Sequence, residues 1–97
     1  MVGFFNRMNY FVYILFSPTA HKYYIGQTDN LSNRLERHNA GYEKATKPYI
    51  PWQLVWYTTK QSRAEAMQLE KKLKNLSKNR INSFIEKYSG CAGADEA

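Results

Sequence analysis

The sequence predicts an α+β fold, a three-stranded and mainly antiparallel sheet flanked by helices in the order β-β-α-β-α-α. Three stretches carry that prediction. Tyr10 to Phe16 reads Tyr-Phe-Val-Tyr-Ile-Leu-Phe, apolar on both faces and rich in β-formers, which marks a central strand rather than an edge strand. Ser17-Pro18-Thr19-Ala20-His21 supplies turn residues, and Lys22 to Gln27 resumes a β pattern, so the two segments read as an antiparallel hairpin. Ser62-Arg63-Ala64-Glu65 forms a capping box, in which serine and glutamate satisfy each other's backbone donors at the start of a helix.

The remaining elements follow in chain order. Gly26 is read as ending the second strand, and Asp29 or Asn30 can cap a helix reaching about Asn39, with Leu31 and Leu35 on its buried side and Gly41 placed to stop it. Residues 41 to 51 form a loop containing Lys44, Lys47, Pro48 and Pro51, and a third strand covers Gln53 to Thr59. The helix opened by the capping box has Ala66, Leu69, Leu73 and Leu76 along one face. Ser77 can cap a last helix, whose Ile81, Phe84, Ile85 and Tyr88 make a second apolar stripe before Gly90. Packing these helices on one sheet is the economical way to bury both stripes. Residues 1–9 read as a loose leader, 10–88 as the folded domain and 89–97 as a flexible tail.

Ninety-seven residues suffice for one domain with a single core. The single cysteine, Cys91, excludes a disulfide framework within the chain, and the Tyr10–Phe16 run is too short to span a membrane. Both observations suit a cytoplasmic protein. The formal net charge is +6, and its distribution is uneven. Residues 1–59 hold six Lys/Arg and three Asp/Glu, whereas residues 60–88 hold eight and three. A basic helical third favours nucleic acid as partner, because attraction to phosphate is long-ranged and needs no fine fit. A solvated lysine-rich face is the ordinary alternative.

Five polar residues are candidates for chemistry. Tyr13 and Tyr24 would lie on adjacent strands of the hairpin and reach a common site, although a buried phenol with one hydrogen bond explains either of them alone. Arg34 and His38 are four apart, on a helix face away from Leu31 and Leu35. There an arginine can clamp phosphate and a histidine can move protons, or both can simply face water. Glu70 borders the apolar stripe of its helix. It is either a surface partner of Lys74 or a magnesium ligand, since Mg²⁺ often binds through one carboxylate plus waters and substrate phosphate.

In this order the segments resemble the GIY-YIG nuclease superfamily over nearly all of Tyr10 to Tyr88. Val12-Tyr13-Ile14 stands at the first signature tripeptide, without the glycine of the name, and Tyr24-Ile25-Gly26 reproduces the second. Gly26-Gln27-Thr28, Asn30-Leu31, Arg34-Leu35 and His38-Asn39 look like the segment that follows in small members. Pro51-Trp52-Gln53-Leu54-Val55 resembles their third strand, and Ala66 to Lys74 the helix that bears the metal-binding glutamate. The resemblance implies hydrolysis of phosphodiester bonds at one Mg²⁺ or Mn²⁺ held by Glu70. Arg34 would bind the phosphate, and a tyrosine, Tyr13 above all, would take a proton from the attacking water while Tyr24 orients the phosphate or the water. A free phenol has a pKa of about 10, so this base needs nearby cations to favour phenolate. His38 matches the helix position one turn after the arginine. Larger members also use a late asparagine, for which Asn79 and Asn82 are both candidates.

Three functions compete at this point: an active nuclease, a non-catalytic nucleic-acid-binding module that kept the fold, and a protein-interaction domain. Retention of all five polar residues favours the first. The backbone of a nucleic acid, expected to be DNA in a repair or recombination setting, would lie on Lys22, Lys44, Lys47, Lys71, Lys74, Lys78 and Arg80. Such contacts position a strand without reading its bases. Specificity is therefore expected from DNA structure or ends, or from a homodimer or protein partner.

Overall fold

The computed structural model describes residues 9–92, with side chains to Tyr88. The predicted leader, apart from Asn9, and residues 93–97 of the predicted tail lie outside the described residues. Strands β1 (Tyr10–Ser17), β2 (Lys22–Thr28) and β3 (Gln53–Lys60) form one sheet in the order β2-β1-β3, with β1 antiparallel to both neighbours. The helices are α1 (Leu31–Ala40), α2 (Arg63–Lys74) and α3 (Lys78–Ala92), and a single 3₁₀ turn at Lys47–Tyr49 breaks the long loop. The predicted element order is the observed one.

The central position of β1 explains its composition. Val12 and Ile14 face a cluster with Ile25, Ala66, Leu73 and Ile81 beneath α2 and α3. Tyr13 and Leu15 point to the other face, where Trp52 and the half-buried Leu31 and Leu35 complete a second cluster beneath α1. Because alternate side chains leave opposite faces of a strand, one covered on both sides must be apolar at every position. The register to β3 slips by one residue between Ile14 and Leu15, a bulge that bends the partner strand.

Helix ends follow the sequence with two exceptions. Asn30 caps α1 by accepting from the Asn33 N–H at 3.1 Å, and Gly41 ends it at φ +85°, where an L side chain is strained. Ser77 caps α3 through the Arg80 N–H at 3.2 Å. The Ser62 hydroxyl accepts from the Glu65 N–H at 3.1 Å, but the return bond, from the Ser62 N–H to the Glu65 carboxylate, is not formed among the described residues. The capping box is therefore half made, because Glu65 is exposed and water competes for its carboxylate. Gly90 does not end α3, which continues to Ala92. A glycine inside a helix costs only about 1 kcal/mol and terminates it only where positive φ is required. Among the described residues no helix is long and apolar enough to cross a membrane.

Candidate active site

The site begins at the middle of the hairpin. Tyr13 pairs with Gly26 across the β1–β2 ladder, and its ring lies over the bare backbone of that glycine. A Cβ at position 26 would sit 2.6 Å from the Tyr13 Oη, 2.8 Å from its Cζ and 3.2 Å from Cε2 of Tyr24. Glycine is thus required by the close approach of a side chain rather than by an unusual φ. Tyr24, on the same face of β2, places its ring centroid 6.3 Å from that of Tyr13 and 4.9 Å from that of His38.

His38 overturns the expectation of an outward-facing polar surface on α1. It is the buried residue of that helix, 1% exposed, while Leu31 and Leu35 are only half-buried. The Tyr13 phenol carries a polar atom into the layer beneath α1, and a buried polar atom needs a polar partner. His38 supplies it: Tyr13 Oη and His38 Nε2 are 3.0 Å apart, and His38 Nδ1 lies 2.8 Å from the buried Thr46 Oγ1. The Thr46 hydroxyl donates in turn to the Glu43 carbonyl at 3.4 Å. A neutral imidazole donates at one ring nitrogen and accepts at the other, so Tyr13 and Thr46 take opposite roles. In the tautomer with its hydrogen on Nδ1, that N–H donates to Thr46 and Nε2 accepts the phenolic proton of Tyr13.

The loop is clamped to hold this chain. Asn39 Nδ2 donates to the Trp52 carbonyl at 3.0 Å, while the Trp52 N–H donates to Asn39 Oδ1 at 2.6 Å. The Trp52 indole N–H donates to the Thr46 carbonyl at 2.9 Å, and Arg37 pairs with Glu43 at 3.0 Å. Burial lowers the pKa of His38, so the ring is neutral near pH 7. Burial also raises the Tyr13 phenol above its usual value, helped by Tyr24 and Glu70, while Arg34 beside it pulls the other way. The protein groups around it therefore disfavour a free Tyr13 phenolate, and Arg34 alone does not supply the cationic surroundings that a phenolate base needs.

Glu70 arrives from α2, on the opposite side of the sheet, and meets the other residues at β2, the edge strand. Its carboxyl group is held at both oxygens: Gln27 Nε2 donates to Oε1 at 2.8 Å, and Lys74 Nζ lies 2.8 Å from Oε2. The side chain keeps 18% exposure against 53% for Lys74, so the carboxylate is sheltered and the lysine is not. No group of three or more His, Cys, Asp or Glu gathers among the described residues. A single carboxylate of this kind fits Mg²⁺ or Mn²⁺, which keep several waters and use one or two carboxylates with substrate phosphate. Gln27 adds a second indication. Its Oε1 is buried without a hydrogen-bond partner among the described residues, next to Glu70, where the hydrogen of an ion-bound water could satisfy it.

Tyr13, Tyr24 and His38 thus meet directly. Arg34 and Glu70 lie close enough for their charges to act on the Tyr13 phenol. Asn82 is engaged elsewhere, accepting from the Tyr23 hydroxyl, and Asn79 makes no side-chain hydrogen bond among the described residues. Lys22, Lys44, Lys47, Lys71, Lys74, Lys78 and Arg80 are all exposed; Lys22 lies over the Tyr49 ring at 4.5 Å and Lys74 is paired with Glu70. Gln27, Thr46 and the Asn39–Trp52 clamp were not singled out from sequence. Gln27, Asn39 and Trp52 each fall in a segment that resembles the family, whereas Thr46 left no signal.

A model of the GIY-YIG catalytic domain matches residues 9–88. A UPF0213 protein of Pediococcus pentosaceus is 32% identical over 81 residues, covering 82% of this chain and 85% of the relative. The UPF0213 protein YazA of Bacillus subtilis is 32% identical over 79 residues, covering 80% and 79%. The solution NMR structure of a UPF0213 protein from Bacillus halodurans superposes with a TM-score of 0.54 at 31% identity, covering 92% of each chain.

Proposed function

Because the chain belongs to the GIY-YIG catalytic domain family, we propose that it is a divalent-metal-dependent endonuclease that hydrolyses DNA phosphodiester bonds with little sequence specificity. The observation that carries this reading is the buried contact between the Tyr13 phenol and a neutral His38, within the field of Arg34 and Glu70.

The contact supplies a base that either residue alone would not. A phenol raised by burial is a poor proton acceptor at neutral pH, and a buried imidazole does not reach open solvent. Linked as they are, Tyr13 passes its own proton to His38 Nε2 as its oxygen takes one from the attacking water. No isolated phenolate has to form. The role requires the tautomer with its hydrogen on Nδ1, for which Thr46 Oγ1 is an acceptor within reach. Arg34 binds the scissile phosphate and stabilises the charge that develops on it. Tyr24, packed edge-on against His38, orients the water or a phosphate oxygen. Glu70 would hold Mg²⁺ or Mn²⁺, whose chemistry when bound is to neutralise the phosphate and its leaving oxygen. Gln27 fixes the carboxylate, and the exposed Lys74 can move from Glu70 to substrate.

The test is nicking of supercoiled and branched DNA in Mg²⁺, Mn²⁺ or EDTA. Wild type should cut only with metal, and Glu70→Ala and Tyr13→Phe should each abolish cutting while the fold persists. Binding without cleavage in every metal would favour the non-catalytic binding module. Absence of both binding and cleavage would favour an interaction domain.

A further inference from the structure

We propose that a groove beside the candidate site seats an unpaired nucleotide of the DNA strand being cut, an inference that rests on the nuclease reading above. The groove, of about 630 Å³, is lined by the consecutive residues 22–25 of β2 and by the end of α2 and start of α3. Consecutive strand residues alternate faces, so a cavity touching all of them runs along the strand's free edge. Its bed is aromatic and aliphatic, with Tyr23, Tyr24 and Leu76 half-buried, and Lys22, Lys74 and Lys78 rim it. Neither Asp nor Glu is among its lining residues. Tyr24 and Lys74 also belong to the candidate site, so the groove starts where cleavage would occur.

Composition decides the occupant. A duplex shows a groove of this size only its charged backbone, since its bases are stacked inward. A basic rim would satisfy that backbone, and the apolar bed would stay empty. An unpaired nucleotide fills both parts, laying its base on the bed while the flanking phosphates meet the lysines. The assignment therefore makes the substrate a strand that is single, frayed or flapped next to the scissile bond.

The experiment is fluorescence anisotropy of wild-type protein in EDTA with a short labelled DNA strand, its duplex and the matching RNA strand, over one matched series of salt concentrations. The DNA single strand should bind roughly tenfold more tightly than the duplex. Leu76→Ser should remove that preference with the salt dependence unchanged. Lys22→Glu/Lys78→Glu, at two exposed positions that leave the core alone, should weaken single-strand binding and flatten its salt dependence. Equal affinity for strand and duplex, or a preference that survives both variants, overturns the proposal, and tighter binding of RNA overturns the assignment to DNA. Cleavage by wild type in Mg²⁺ or Mn²⁺, tried on the same single strand, a flapped duplex and a plasmid, separates the two readings. A single-strand preference without cleavage of any of these substrates sinks the nuclease reading and upholds the groove; cleavage without the preference does the reverse.

Discussion

Gly26→Ala is the sharpest perturbation of the site, because one methyl group tests both its packing and its chemistry. The added Cβ would lie 2.6 and 2.8 Å from the end of the Tyr13 side chain, well inside van der Waals contact. Tyr13 cannot swing away freely: it is 1% exposed, sits between Tyr24 and His38, and is tied to His38 at 3.0 Å. Moving the phenol by half an ångström or more breaks that bond, which is already of ordinary length. Overpacking costs about 1 to 3 kcal/mol, and a buried imidazole left without its partner costs about 1 to 3 kcal/mol more. The two overlap, so a total of about 2 to 4 kcal/mol is expected. For a domain of this size that lowers Tm by roughly 10 to 30 °C, read by circular dichroism. Cleavage should be lost at temperatures where the variant is still folded, since the proton path is displaced. Gly41→Ala is the control. Its Cβ would meet nothing nearer than 3.7 Å, so only the left-handed backbone is strained, at about 1 kcal/mol, and cleavage should persist. A Gly26→Ala protein with wild-type Tm and wild-type nicking would refute the reasoning.

Other consequences follow from the same contacts. Glu70→Gln should change stability by less than about 1 kcal/mol, because the exposed Lys74 pair contributes little and the amide oxygen can still accept from Gln27. It should nonetheless abolish both nicking and Mg²⁺ binding by calorimetry; metal binding at wild-type strength would remove Glu70 from the centre. The lowered pKa of His38 sets a pH dependence. The unfolded ring takes up a proton near pH 6.5 while the folded one resists, so stability is full above about pH 6.5 and falls as pH drops toward the folded value. Urea midpoints from pH 7.5 to 5.5 should show this slope, and His38→Gln should flatten it; an unchanged slope would mean that other groups cause it. Asn39→Ala should cost about 1 to 3 kcal/mol by leaving the Trp52 backbone unpaired, and should reduce cleavage by loosening the Thr46 loop. Full activity in that variant would show that the clamp serves only the fold.

Local physics made much of the molecule readable before any coordinates. The two-faced apolarity of Tyr10 to Phe16 demanded a central strand, and Asn30, Gly41, Ser62 and Ser77 marked helix ends through bonds made within one turn. Tyr13, Tyr24, Arg34, His38 and Glu70 stood out from residue type, spacing and family resemblance. Relations across the fold lay beyond that reading. Spacing along α1 assigned His38 to the polar face, and only the packing of that helix over Tyr13 turned it inward. The exposed Lys74 was legible as a partner of Glu70 because both lie on one helix at i and i+4; Gln27 was not, because it comes from a strand 43 residues earlier. Thr46 in the loop and the Asn39–Trp52 clamp likewise acquire meaning only once the loop closes on α1. Periodicity and capping are set by neighbours in the chain, so the sequence by itself determined the elements and the candidate residues. Burial and hydrogen bonding are set by neighbours in space, so only the tertiary structure decided which phenol meets which imidazole.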